Sequence, residues 1–281
     1  MTRASSTVLG TLGFSEPMTT RPKFHANDTS IDVMNVVPRS VLIEDARHRA
    51  APAALDTEGF RLYPHKSAVR DFRSRSEVEQ VHVEEIRRLL LAVSGADQVV
   101  VTGAGVLRFG ERSAESGAHN NSRPARFVHV DCSDATATSF YERSRPDTGR
   151  RVRRSAQYNV WRAITPPPQD VPLAVCDART VRPEDFIPAD AIFDRDGAVA
   201  FSFEALLLRY SPRQRWVFYS NMGPDEALVF KTNDTDRSCA HCVAHGAFDN
   251  TDCPAGVVPR ASLEMRGIAY WFEGEPAHRR S

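Results

Sequence analysis

Short runs of alternating apolar and polar residues dominate the chain, broken at regular intervals by proline and glycine. Such runs at 40–43, 98–102, 126–131, 156–163, 173–177, 205–210, 215–219, 227–232 and 263–272 read as β-strands. Many short strands at this spacing predict an all-β sandwich or barrel. One stretch keeps the helical period instead. Val78, Val81, Ile86, Leu89, Leu90 and Val93 form an apolar stripe, Ser76 with Glu79 reads as a capping box, and Gly95 reads as the terminator. Residues 1–35, rich in Ser, Thr and Pro, show little periodicity and read as a flexible arm. That leaves 36–281 as a single domain.

Charge narrows the partners. Lys plus Arg and Asp plus Glu are both 36, so no net field draws the chain to nucleic acid or to an anionic membrane. No apolar run reaches the 18 residues of a membrane span, and the opening MTRASSTVLGTLGFSEPM has no signal-peptide core. A cytoplasmic protein is expected, and nothing in the sequence signals an oligomeric state. Five cysteines without a secretory signal argue against a disulfide framework, so their thiols should be reduced and metal binding has to be weighed. The loop 142–154 carries six arginines and reads as a solvated, mobile surface.

Three motifs bear on chemistry. VVVTGAG at 99–105 resembles a phosphate-binding glycine turn, but the next glycine, Gly110, is misplaced and the polar stretch 111–124 supplies no helix. A hairpin turn is the expected alternative. In Phe127-Val128-His129-Val130-Asp131, the strand period places His129 and Asp131 on one face, about 6.5–7 Å apart. They can supply two ligands of a 2-His-1-carboxylate triad, which leaves coordination positions open. His-x-Asp is a weak signal alone. His245 offers a second histidine. Downstream, Pro259-Arg260-Ala261-Ser262 opens a strand whose face carries Arg260, Ser262, Glu264 and Arg266 and then turns apolar at Ile268, Tyr270 and Phe272. A guanidinium with a hydroxyl two residues on suits a carboxylate; a surface salt-bridge face is the competing reading.

Longer segments carry a family likeness. VHVDCSDATA, YNVWRAITPPPQDVPLAVCDARTV, WVFYSNMGPDEALVFKTNDTD, AHGAFDN and PRASLEMRGIAYWF occur in one order, preceded by VLIEDAR, LDTEGFRLYPHKSAVRDF and LLLAVSGADQVVV. Over roughly residues 40–272 the chain resembles the oxygenase family of the fungal gibberellin desaturase and the small component of cephamycin 7-alpha-methoxylation. The resemblance implies a double-stranded β-helix (a distorted jelly roll) with flanking helices, iron(II), and 2-oxoglutarate as co-substrate. It also implies a dioxygenase that oxidises a small specialised metabolite by hydroxylation, desaturation or oxidative cyclisation. The metal ligands it implies fall on His129, Asp131 and His245, and the co-substrate arginine on Arg260, with Ser262 beside it, or on Arg266. Where the family usually has proline and threonine around the distal histidine, this chain has Ala244 and Gly246.

A zinc site is the rival. Cys239, Cys242, His245 and Cys253 could form a Cys₃His centre in a non-catalytic β-barrel that binds a small molecule or is stabilised by metal, at the expense of His245. Other residues get lesser expectations. Asn159 and Arg162 are candidate substrate contacts, although strand alternation forbids both from pointing inward. For Arg162, a buried ion pair with an acid such as Asp177 is the equal alternative. Lys231 reads as a surface pair, and Tyr158 and Trp216 as core. With Arg162 and Arg266 both expected at the cavity, the expectation is either that an acidic, carboxylated substrate neutralises them or that Glu264, Glu226 or Asp177 does so within the protein.

Overall fold

The structure is a computed structural model that describes residues 7–195 and 198–274; residues 1–6 of the expected arm and 275–281 of the expected domain lie outside it. Fifteen strands occur among the described residues: β1 (Thr7–Ser15), β2 (Lys23–His25), β3 (Val36–Asp45), β4 (Phe60–Pro64), β5 (Gln98–Val101), β6 (Val106–Phe109), β7 (His129–Val130), β8 (Val152–Ala163), β9 (Leu173–Cys176), β10 (Phe186–Arg195), β11 (Ala198–Leu208), β12 (Trp216–Phe218), β13 (Glu226–Asp234), β14 (His245–Ala247) and β15 (Ala261–Phe272). Helices α1 (Arg75–Glu77), α2 (Val83–Ser94) and α3 (Asp134–Ser144) flank them. One sheet has nine strands in the order β1-β3-β12-β9-β14-β7-β11-β10-β2. The other runs β4-β13-β8-β15-β5, with β6 also on β15.

The two sheets face one another. Trp161 and Phe230 from the smaller sheet share an apolar cluster with Leu173, Val175 and Val217 from the larger one. This is the distorted jelly roll with flanking helices that the strand pattern and the resemblance imply. Alternation then assigns faces. On β8, Tyr158 and Val160 point outward to meet Ile86 and Leu90 of α2, as do Leu263 and Met265 on β15. Asn159 and Trp161 on β8, with Glu264 and Arg266 on β15, therefore point between the sheets. Farther along β15 the same face packs Ile268, Tyr270 and Phe272 against Cys132, Ala137 and Tyr141. Tyr158 and Trp216 are buried, as expected.

The N-terminal segment departs from expectation. Residues 7–15 pair with β3 along their whole length, β2 pairs with β10, and Val8, Leu12 and Phe14 are buried. The alternation Val8-Gly10-Leu12-Phe14 was hidden because glycine fills one inward position. A Cβ at Gly10 would come within 2.5 Å of the Ile43 side chain, so the strand packs too closely for anything larger. Phe14, fully buried edge-on to Trp216, makes this testable. Phe14→Ala should cost about 3–5 kcal/mol in denaturant unfolding, the usual penalty for emptying an aromatic site. A loosely docked arm would lose only about 0.5 kcal/mol or less.

Two local readings also change. Ser74, not Ser76, caps the helix by accepting the Glu77 N–H, while Glu79 pairs with Arg75 and a π-turn at Val78–His82 precedes α2. Gly95 ends α2 in the left-handed region with φ 66°, as expected. The glycine turn at 103–105 is not a hairpin. β5 and β6 both pair with β15, at Gly267–Tyr270 and at Ala261–Glu264, so the turn steps the chain along one neighbour.

Candidate metal and co-substrate site

β14 and β7 are paired in the larger sheet with His245 directly opposite His129, and Asp131 follows the end of β7. Val128 and Val130, on the other face, are fully buried in an apolar cluster, which fixes the direction of the three polar side chains. The Nε2 atoms of His129 and His245 lie 3.4 and 3.6 Å from Asp131 Oδ1. One ligand atom from each of the three lies within 4.8 Å of the others. Each Nδ1 is 3.1 Å from the carbonyl two residues earlier, Phe127 O for His129 and Val243 O for His245. With Nδ1–H donating there, the Nε2 lone pairs face the centre, the arrangement metal-binding histidines use. Gly246 lets the strands meet: a Cβ there would stand 3.3 Å from Phe127 O.

Asp131 is held by its other oxygen. Oδ2 accepts from Asn159 Nδ2 at 2.8 Å and pairs with Arg266 Nη2 at 3.2 Å. Burial alone would raise its pKa, but Arg266 and the two histidines hold it well below the usual carboxylate range, so it stays ionised with Oδ1 turned to the centre. Arg266 also donates to Glu264 Oε1 at 2.9 Å. Asn159 is therefore a positioning residue on Asp131, not the substrate contact expected. Arg266 is committed to two carboxylates, which weakens it as the co-substrate arginine.

Arg260 is different. It is 1% exposed, and Nη1 donates to Val171 O at 2.9 Å, but Nε and Nη2 have no acceptor. Its guanidinium lies over the Trp161 ring, 5.8 Å from the centroid. Burial, with Arg108 adding repulsion, pushes its pKa down to about 9, the mark of a buried cation without a carboxylate. One cavity is lined by His129, Asp131 and His245 together with Arg260, Trp161 and Glu264. Ser262 faces the same way, but its hydroxyl donates to Arg108 O at 3.5 Å and it does not line this cavity. Of the two, only Arg260 lines the cavity, and it does so with an incompletely bonded guanidinium.

Arg162 is not at this site. It lies on the opposite face of β8 from Asn159, against Phe72, with hydrogen bonds to the His65 ring and Pro224 O. Asp177, its expected alternative partner, pairs with Arg179. Lys231 is not a surface pair either: it is fully buried and bonds Asp56 and Asp234 at 2.6 and 2.7 Å. The Cys₃His site does not assemble. Cys242 is buried in the apolar cluster with Val8, Cys239 lies near Asp56 and Asp234, and Cys253 borders a separate surface groove. Arg108, on β6 opposite Ser262, escaped sequence reasoning because its segment read only as a failed glycine motif.

The family profile described as oxidoreductase/YMDC permease-like domain matches residues 12–270. The chain is 27% identical over 249 residues to the Fe(II)/2-oxoglutarate-dependent dioxygenase nvfI of Aspergillus novofumigatus, covering 84% of each chain. It is 29% identical over 255 residues to the hydroxylase/desaturase CTB9 of Cercospora beticola, covering 84% of this chain and 78% of the other. The solved structure of the iron and alpha-ketoglutarate-dependent endoperoxidase NvfI superposes with TM-score 0.80 at 23% identity, over 95% of this chain and 99% of that one.

Proposed function

Taking as premise that this chain belongs to the oxidoreductase/YMDC permease-like family, we propose that it is an iron(II)- and 2-oxoglutarate-dependent dioxygenase acting on a small specialised metabolite. The observation that carries this is the convergence of Asp131 Oδ1 and two histidine Nε2 atoms next to a buried guanidinium with two orphaned nitrogens. His129, Asp131 and His245 would hold the metal, and the three-ligand set leaves positions for a bidentate co-substrate and for dioxygen. Bound iron(II) supplies the redox chemistry by which dioxygen converts 2-oxoglutarate to succinate and carbon dioxide while a substrate C–H bond is oxidised.

The chain's own residues do the rest. Asn159 and Arg266 keep Asp131 ionised and aimed. Arg260 takes the far carboxylate of 2-oxoglutarate and so orients its keto-acid end toward the triad. Trp161 and Leu173 wall the cavity from water. At finer grain, the segments from VLIEDAR to PRASLEMRGIAYWF resemble the group of the gibberellin desaturase and cephamycin methoxylation, and hydroxylation, desaturation or oxidative cyclisation are the candidate outcomes. All five cysteines are free, in keeping with a reducing cytoplasmic setting. No described helix is long and apolar enough to cross a membrane.

The test is metal analysis combined with product analysis. One iron(II) per chain should bind without oxygen, 2-oxoglutarate should then produce a weak visible band, and admission of oxygen should release succinate. Tightly held zinc with no band and no succinate would return the assignment to a binding barrel.

A further inference from the structure

Beyond the co-substrate cavity, across His129 and Asp131, lies a second cavity with two unlike halves. One half is aromatic. Phe24 and Phe127 pack with ring centroids 4.9 Å apart, Phe127 leads onto the His129 ring at 5.2 Å, and Phe193 stacks with Phe203 at 5.3 Å. The other half is cationic, formed by partly buried Arg108 and solvent-exposed Arg123. A third cavity of 570 Å³ shares Asn121, Phe193 and Arg266 with it and opens outward, so a body longer than one ring can be accommodated.

The charges lining the two inner cavities do not balance. Arg108, Arg260 and Arg266, all at least partly buried, face only two carboxylates, Asp131 and Glu264, and the solvent-exposed Arg123 adds a further cation. Arg266 is paired with both carboxylates, and Arg260 is reserved for the co-substrate. The charges of iron(II) and of the 2-oxoglutarate dianion cancel, so loading the site leaves Arg108 and Arg123 as they were. Among the described residues neither forms an ion pair. Arg108 uses Nη1 on two neutral acceptors, Asn121 Oδ1 at 3.1 Å and Arg123 O at 2.6 Å. Arg108 also forms part of the wall of both inner cavities, so it sits between the co-substrate and whatever fills the aromatic half. A partly desolvated cation is costly until an anion meets it.

We propose that this cavity binds a carboxylic acid with an aromatic or fused-ring apolar body, the acid on Arg108 and the body against Phe127, Phe193 and Phe203. This rests on the reading above, in which the triad holds iron and Arg260 takes 2-oxoglutarate. The charge then decides which edge of the body lies beside His129, because the molecule cannot be reversed without burying its carboxylate among phenylalanines. The acidic substrate expected from the sequence is retained, but the cation that reads it is Arg108 and not Arg162.

The probes are 2-naphthoate and its uncharged methyl ester, titrated by fluorescence against the full chain with 2-oxoglutarate present to occupy Arg260. The acid should bind at least about tenfold more tightly than the ester, the scale of one charge-assisted contact. Arg108→Gln, which keeps hydrogen bonding and removes the charge, should abolish that preference and leave ester affinity within about twofold, while Arg108→Lys should keep most of it. Phe193→Ala should weaken acid and ester alike. Equal binding of acid and ester, no binding of either, or a preference lost in Arg260→Gln but kept in Arg108→Gln would overturn the proposal. Titration without metal gives the same comparison, so a failure of iron binding and a failure of acid recognition are read separately.

Discussion

His245→Ala is expected to abolish iron(II) binding and to lower succinate release by well over about a hundredfold, beyond the 10–100-fold typical of losing a residue that only supports a ligand. His245 contributes one of two nitrogens to a centre whose remaining donors are one imidazole and one carboxylate oxygen. A two-donor remnant does not hold a divalent ion against water at physiological metal levels. The fold should survive, because the substitution leaves the backbone pairing of β14 with β7 and β9 untouched. Circular dichroism and thermal melting check that part, and metal content checks the other. Asn159→Ala gives the internal contrast, weakening iron by about 10–100-fold without eliminating it, because Arg266 still holds Asp131. Normal iron-dependent turnover in His245→Ala would mean that the triad is wrongly assigned.

Arg260→Ala should raise the 2-oxoglutarate concentration needed for half-maximal turnover by one to two orders of magnitude. Removing a charge-assisted partner from a buried carboxylate costs on the order of 1.5–3 kcal/mol. The same variant should behave unusually in the absence of ligand. Arg260 is buried with two unsatisfied nitrogens and no carboxylate, so its loss relieves an uncompensated cation. The melting temperature of the free variant should therefore equal or exceed that of the parent, whereas 2-oxoglutarate should stabilise only the parent. A structural arginine would show the reverse, with loss of stability and an unchanged co-substrate requirement. If Arg266→Ala alone raised the requirement, the clamp would belong to Arg266.

Elements whose pattern is local were legible. The strand alternation in β8, β13 and β15 survives in the fold with extensions of a few residues, and the stripe from Val78 to Val93 packs on the smaller sheet as its period requires. Strand parity alone placed His129 with Asp131, and Arg260 ahead of Glu264 and Arg266 on one face. β1 was missed because glycine at an inward position interrupts the apolar signal, and β6 because a glycine pattern drew attention away from its pairing.

The amino-acid sequence by itself determined the class of fold, the period and facing of its long strands, and the types of donor available to a metal. Each follows from side-chain direction along one strand, which the backbone fixes without reference to the rest of the chain. Only the tertiary structure decided which donors meet. His245 comes opposite His129 through pairing of segments more than a hundred residues apart, and Asn159 reaches Asp131 across the gap between the sheets. The roles of the arginines were decided there too. Four of similar local appearance became a structural contact at Arg162, a carboxylate holder at Arg266, a buried cation without an acid at Arg260 and an unpaired cavity wall at Arg108. What separates them is which acceptors each guanidinium meets after folding: an imidazole and backbone carbonyls at Arg162, two acids at Arg266, one carbonyl at Arg260, and an amide oxygen and a carbonyl at Arg108. These are properties of the assembled surroundings that one strand does not encode.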